Sequence, residues 1–66
     1  MQPHQQRVVD ELVELQDKII KLDNFISSEN FEKIVVDKEE RHRLIAQLGY
    51  MRQYASVLIE RIDNFN

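Results

Sequence analysis

The chain has no cysteine, one glycine, one proline, and no apolar run longer than three residues, as at Val57–Leu58–Ile59. Each scarcity excludes something. Without cysteine there is neither a disulfide framework nor a thiolate metal site to staple a small fold, and the composition fits a reducing compartment. A membrane-spanning helix needs about 20 consecutive apolar residues, far more than any stretch here supplies. The polar start, Met1 to Arg7, contains nothing resembling the apolar core of a signal peptide. With Gly49 as the sole glycine, no glycine-rich loop is present to cradle a phosphate. A strongly basic balance is missing too: nine Lys and Arg stand against twelve Asp and Glu, for a formal charge of -3, which disfavours a general nucleic-acid binder.

What remains is periodicity. At 42% hydrophobic and 32% charged, the 66 residues read as one small folded domain rather than a disordered chain. Val8, Leu12, Leu15, Ile19, Leu22 and Ile26 recur at alternating four- and three-residue spacing. So do Leu44, Leu48, Met51, Ala55, Leu58, Ile62 and Phe65. Each series keeps one face of an α-helix apolar, the seam pattern of a bundle or coiled coil. The spacing predicts an all-α antiparallel two-helix hairpin, with helices over about 3–26 and 38–63. The connection, 27–37, includes a brief helical turn from Phe31 to Val35 whose Phe31 and Ile34 cover the hairpin's end. Pro3 suits a first helical turn. Asp37, with Glu40 three positions on, resembles a capping box. Antiparallel pairing sets Val8 near Ile62, Leu15 near Ala55 and Ile26 near Leu44, so the two seams match throughout.

Apolar residues also lie beside the seams. Val9, Val13 and Ile20 flank the first; Ile45 and Ile59 flank the second on one side, with Tyr50, Tyr54 and Val57 on the other. A lone hairpin has no interior for them, and contiguous exposed ridges mark association surfaces. Val9, Val13, Ile20, Ile45 and Ile59 are therefore the expected contacts of a homo-oligomeric helical bundle.

Catalytic and metal chemistry find little support. No His-x-x-His, His-Glu-x-x-His or Cys-x-x-Cys spacing occurs, and Asp10, Glu11 and Glu14 lack the Glu-x-x-His partner of a bundle metal site. Glu14 and Lys18, four apart, read as a surface ion pair. Ser27, Ser28 and Ser56 have no base beside them in the hairpin. The sequence thus predicts a binding protein rather than an enzyme, with no cofactor. One constellation stands out. Tyr50, Tyr54, Val57 and Arg61 share a helical ridge, and antiparallel pairing brings its Arg61 end towards His4 and Arg7. Aromatic faces stack on bases and guanidinium forks suit phosphates, so His4, Arg7, Tyr50, Tyr54 and Arg61 are candidate ligands for a small nucleotide. The bland alternative is a packing ridge within an oligomer, since Tyr and Arg are also common interface residues.

Pro3-His4-Gln5-Gln6-Arg7-Val8-Val9-Asp10-Glu11, with Leu15, Lys18, Leu22 and Phe25-Ile26, resembles the opening of a family of very short helical proteins of tailed phages and prophages, named after an open reading frame of a crAss-like phage. The closing pattern Met51-x-x-Tyr54-x-x-Val57-Leu58-x-x-Arg61-Ile62, followed by Phe65, is similar as well. The resemblance implies a phage-encoded accessory protein of the host cytoplasm that antagonises host defence, for instance by sequestering a nucleotide-derived immune signal at a subunit interface. The alternative is a protein–protein interaction module that inhibits a host protein or serves as a structural phage accessory.

Overall fold

Pro3 occupies the first position of α1 (Pro3–Ile26), where its missing N–H costs no helical bond. Gln2 caps this helix: its N–H donates to Gln5 Oε1 at 2.8 Å, and its carbonyl accepts from the Gln5 and Gln6 amides at 3.0 Å. The computed structural model describes residues 1–65. At the far end of α1 the Ser27 amide donates to the Asp23 carbonyl at 2.9 Å, and the Ser28 hydroxyl donates to the Phe25 carbonyl at 2.8 Å. These bonds satisfy carbonyls that the terminating helix would otherwise leave open. A single turn, α2 (Phe31–Ile34), leads to the second long helix, α3 (Lys38–Asp63). Both long helices keep the bounds that the spacing predicts, and no strand occurs among the described residues.

Asp37 is the cap of α3, its Oδ1 accepting the Glu39 amide at 3.0 Å. The capping box itself does not form. Glu40 turns outward and accepts from Arg43 Nε at 2.7 Å, because a charge-assisted bond to a guanidinium is stronger than one to a neutral amide. The connection corrects a second expectation. Phe31 is buried and meets the Phe25 ring edge-on, with centroids 5.4 Å apart and planes at 84°. Ile34, by contrast, is 64% exposed. A helix of one turn offers one inward position here, and the Phe31 ring fills it. Arg41 then ties the extended Val35–Val36 backbone to α3, donating from Nη1 to the two carbonyls at 2.8 and 2.9 Å.

The core is the seam between α1 and α3. Val8, Leu15, Ala55 and Leu58 form its buried centre, and Leu12, Ile19, Met51, Ile62 and Phe65 pack against them. Leu58 has no exposed surface at all. Small Ala55, itself buried, permits the close approach that dispersion between the helices requires. The result is a rod of 47 × 15 × 14 Å, two helices wide and one layer deep. Among the described residues nothing covers either flank of the seam. None of the described helices is long and apolar enough to cross a membrane.

Candidate functional site

The seam divides the surface of the hairpin into two long flanks, which two observations align across the helices. Asp23 and Arg52 each follow a seam residue (Leu22, Met51), and Asp23 Oδ2 lies 3.3 Å from Arg52 Nη2. Lys18, Lys21 and Phe25 each precede a seam residue (Ile19, Leu22, Ile26), and they line one concavity with Gln47, which precedes Leu48. Positions one after the seam therefore share one flank, and positions one before it share the other.

The aliphatic flank carries Val9, Val13, Ile20, Ile45 and Ile59. Val13, Ile20, Ile45 and Ile59 are all exposed, whereas Val9 is half-buried. Gly49 lies on this flank too, and a Cβ built there would meet nothing within 4 Å.

The tyrosine flank is grooved. A concavity of about 550 Å³ is lined by Arg43, Ala46, Gln47, Tyr50, Met51 and Tyr54. Tyr50 is 69% exposed and Tyr54 46%, so both side chains are accessible from solvent. Gln47 and Met51 also wall the neighbouring concavity of about 380 Å³, whose remaining lining is Lys18, Lys21, Leu22 and Phe25. The two hollows thus form one trough crossing the seam, with a Gln47–Met51 rib between them. Met51 is anchored in the core, whereas exposed Gln47 makes only a weak contact to it, from Nε2 to Sδ at 3.9 Å.

The sequence-predicted ligand set does not stay together. Tyr50 and Tyr54 share the trough; Arg61 instead lines a separate hollow with Val57, Glu60, Asn64 and Phe65. His4 and Arg7 are exposed at the chain's start and line none of these three hollows. The arginine beside the tyrosines is Arg43, which enters from the connection end of α3. It is anchored by Glu40 and approached by Asp37, whose Oδ2 lies 3.6 Å from Nη2. The hydrogen bond to Glu40 raises the Arg43 pKa above its ordinary value, outweighing partial desolvation, and attraction to Glu40 and Asp37 adds to the rise.

The expected Glu14–Lys18 pair is absent among the described residues. Lys21 pairs instead with Asp17 at 2.9 Å, with both side chains exposed; pairs of this kind are worth about 0–1 kcal/mol and so enforce no single geometry. Lys18, Lys21, Arg43 and Gln47 are the trough residues that sequence reasoning missed. Their common signal is the position immediately before a seam residue. Among the described residues, no group of three or more His, Asp or Glu is placed to hold a metal ion.

A thin helical hairpin with one grooved, aromatic flank and one exposed, aliphatic flank is the class of molecule these observations define. The chain belongs to the Sequestin family, which it matches over residues 2–64. No curated protein and no solved structure matches it.

Proposed function

We propose that this protein is a non-catalytic binder that sequesters a nucleotide-derived ligand, with Tyr50 and Tyr54 as the stacking platform. The observation that carries the reading is the pair of exposed tyrosines on one groove, lined almost entirely by carbon and edged by a guanidinium. Base–aromatic stacking needs an accessible aromatic side chain, and both tyrosines are exposed. The family name points the same way, towards holding a partner rather than converting it. With the sequence resemblance to phage proteins, the reading becomes an accessory protein that withdraws a host immune signal in the host cytoplasm.

The protein acts as a homo-oligomer in this reading. Six buried apolar residues among those described make a thin core, and domains this small commonly gain stability by association. The aliphatic flank supplies the contact. Its projected face, 47 Å by 15 Å, amounts to about 700 Å² per copy, close to the roughly 800 Å² per partner of a standard interface. Pairing there leaves the tyrosine flank facing outward.

Calorimetry against cyclic dinucleotides and cyclic ADP-ribose-like compounds tests the function. Binding by at least one compound, lost in Tyr50→Ala/Tyr54→Ala, is the expected result. Absence of binding at millimolar concentration rejects sequestration of these signals. One observation favours the second reading, a docking module for a partner helix: a separate hollow, lined in part by Val57 and Phe65, lies further along α3 beyond Tyr54. Such a module would capture a helical protein and ignore every small molecule tested.

A further inference from the structure

We infer that the anionic group of the ligand is held by Lys18, Lys21 and Arg43, at the connection end of the tyrosine flank, and not by Arg7 and Arg61 at the opposite end. This rests on the sequestering reading and assigns its phosphate-binding residues. The ligand class is a compound joining a planar ring to at least one phosphate.

The argument is one of charge distribution. Although the chain is net acidic at -3, the positions immediately before a seam residue carry the opposite sign. Five of the nine basic residues (Arg7, Lys18, Lys21, Arg43, Arg61) occupy positions just before a seam residue, against two of the twelve acidic ones there, Glu11 and Glu14. Those two carboxylates are not spread evenly. With the seam paired Leu12 to Leu58 and Leu15 to Ala55, Glu11 falls level with Val57, between the tyrosines and the Arg7/Arg61 end, and Glu14 falls beside Tyr54. That end is locally balanced. At the other end, Lys18, Lys21 and Arg43 line the trough and no carboxylate does.

Geometry gives the same direction. The cations enter from both helices, Lys18 and Lys21 from α1 and Arg43 from α3, and flank the hollow that contains the tyrosines. Only the Gln47–Met51 rib intervenes, so a ring stacked on Tyr50 or Tyr54 lies one side chain away from the cations. Gln47 can release its weak sulfur contact and offer its carboxamide to the ligand. The bonds that Lys21 makes to Asp17, and Arg43 to Glu40, come from residues outside the trough lining, and exposed pairs exchange readily. Guanidinium and ammonium together match a phosphate's several acceptor oxygens.

The experiment titrates the full chain with inorganic pyrophosphate, AMP and adenosine, following lysine Nζ and arginine Nε signals by NMR. Pyrophosphate should shift Lys18, Lys21 and Arg43 and leave Arg7 and Arg61 unmoved. Arg43→Gln should weaken AMP roughly tenfold, the loss of one charge-assisted bond, and Lys18→Gln/Lys21→Gln, which removes two cations, by more than that. Adenosine should bind these variants as it binds the wild type. Arg7→Gln/Arg61→Gln should change neither ligand. All five side chains are exposed, and circular dichroism verifies that each variant folds. Weakening of AMP by the Arg7/Arg61 variant alone overturns the inference. So does binding of adenosine with no response of the three cations to pyrophosphate, an outcome that leaves stacking intact. If pyrophosphate finds the three cations while AMP and adenosine fail to stack, the cradle stands and the tyrosine platform falls. An oligonucleotide that shifts all five cations together would overturn it differently, making the whole flank a nucleic-acid track.

Discussion

The two flanks of the seam are built on the same pair of helices and differ in nearly every respect that matters for recognition. One is grooved, aromatic and locally basic, with Tyr50, Tyr54, Lys18, Lys21 and Arg43 around a trough. The other is aliphatic, with Val13, Ile20, Ile45 and Ile59 exposed around Gly49 and the Asp23–Arg52 bridge across it. A one-residue step in sequence moves a side chain from one flank, across the seam, to the other. Helical periodicity therefore lets a chain of 66 residues separate two kinds of surface without a second domain. β-Branched side chains, stiff at χ1, suit a surface that packs against a preformed copy of itself. Tyrosine and lysine, with polar tips on apolar bodies, suit a surface that alternates between water and a ligand.

Both flanks depend on the seam, so the largest effect comes from breaking it. Leu58→Ala removes the one side chain with no exposed surface and should cost about 2–5 kcal/mol, as core Leu→Ala changes do. In a domain this thin, circular dichroism should show loss of most helix at ambient temperature, and ligand binding and association should disappear together. A well-folded Leu58→Ala protein would place the core elsewhere. Ala55→Leu tests the same seam by overfilling its centre, at a cost of about 1–3 kcal/mol. A raised melting midpoint in that variant would contradict the close crossing at Ala55.

The next two substitutions separate the flanks. Tyr54→Ala should weaken ligand binding by about 1–3 kcal/mol through lost stacking, with the sedimentation profile unchanged. Ile59→Lys should do the reverse, shifting the oligomer towards the single hairpin at micromolar concentration while leaving ligand affinity per chain intact. If Tyr54→Ala dissociates the oligomer, or Ile59→Lys abolishes ligand binding, the division of labour is wrong and the ligand lies between subunits.

How far this division was legible in the sequence depends on which interaction sets each feature. The helix bounds and the seam were readable because a long apolar stripe has one way to bury itself, and Asp37 because caps are local. The capping box failed at Glu40, where a neighbouring guanidinium competes for the carboxylate. Ile34 was misplaced because a single turn gives periodicity too little length to act on. The lining of the trough was half readable. Tyr50 and Tyr54 follow from spacing along one helix, but Lys18 and Lys21 come from the other, and their proximity depends on the antiparallel stagger. Arg61 was grouped with the tyrosines because it shares their ridge. The groove beside them instead ends at Arg43, towards the connection.

The smallest effect is the most discriminating. In the helix interior Gly49 costs about 1 kcal/mol relative to alanine, and in the single hairpin nothing within 4 Å would be disturbed by a Cβ there. Gly49→Ala should therefore stabilise an isolated hairpin by roughly 0.5–1 kcal/mol. The outcome changes if a second copy packs on the aliphatic flank. Gly49 then lies at the approach of two helices, where a missing side chain lets backbones come together, and an added methyl holds them apart. The two cases separate by concentration. Thermal melts of Gly49→Ala should show a raised midpoint in dilute solution, where single hairpins dominate. At high concentration the gain should shrink or reverse, as the weakened association offsets it by mass action. A midpoint raised equally at every concentration would clear Gly49 of any contact and move the oligomer interface away from the middle of this flank. The tyrosine flank would then be the remaining long face on which two copies could meet.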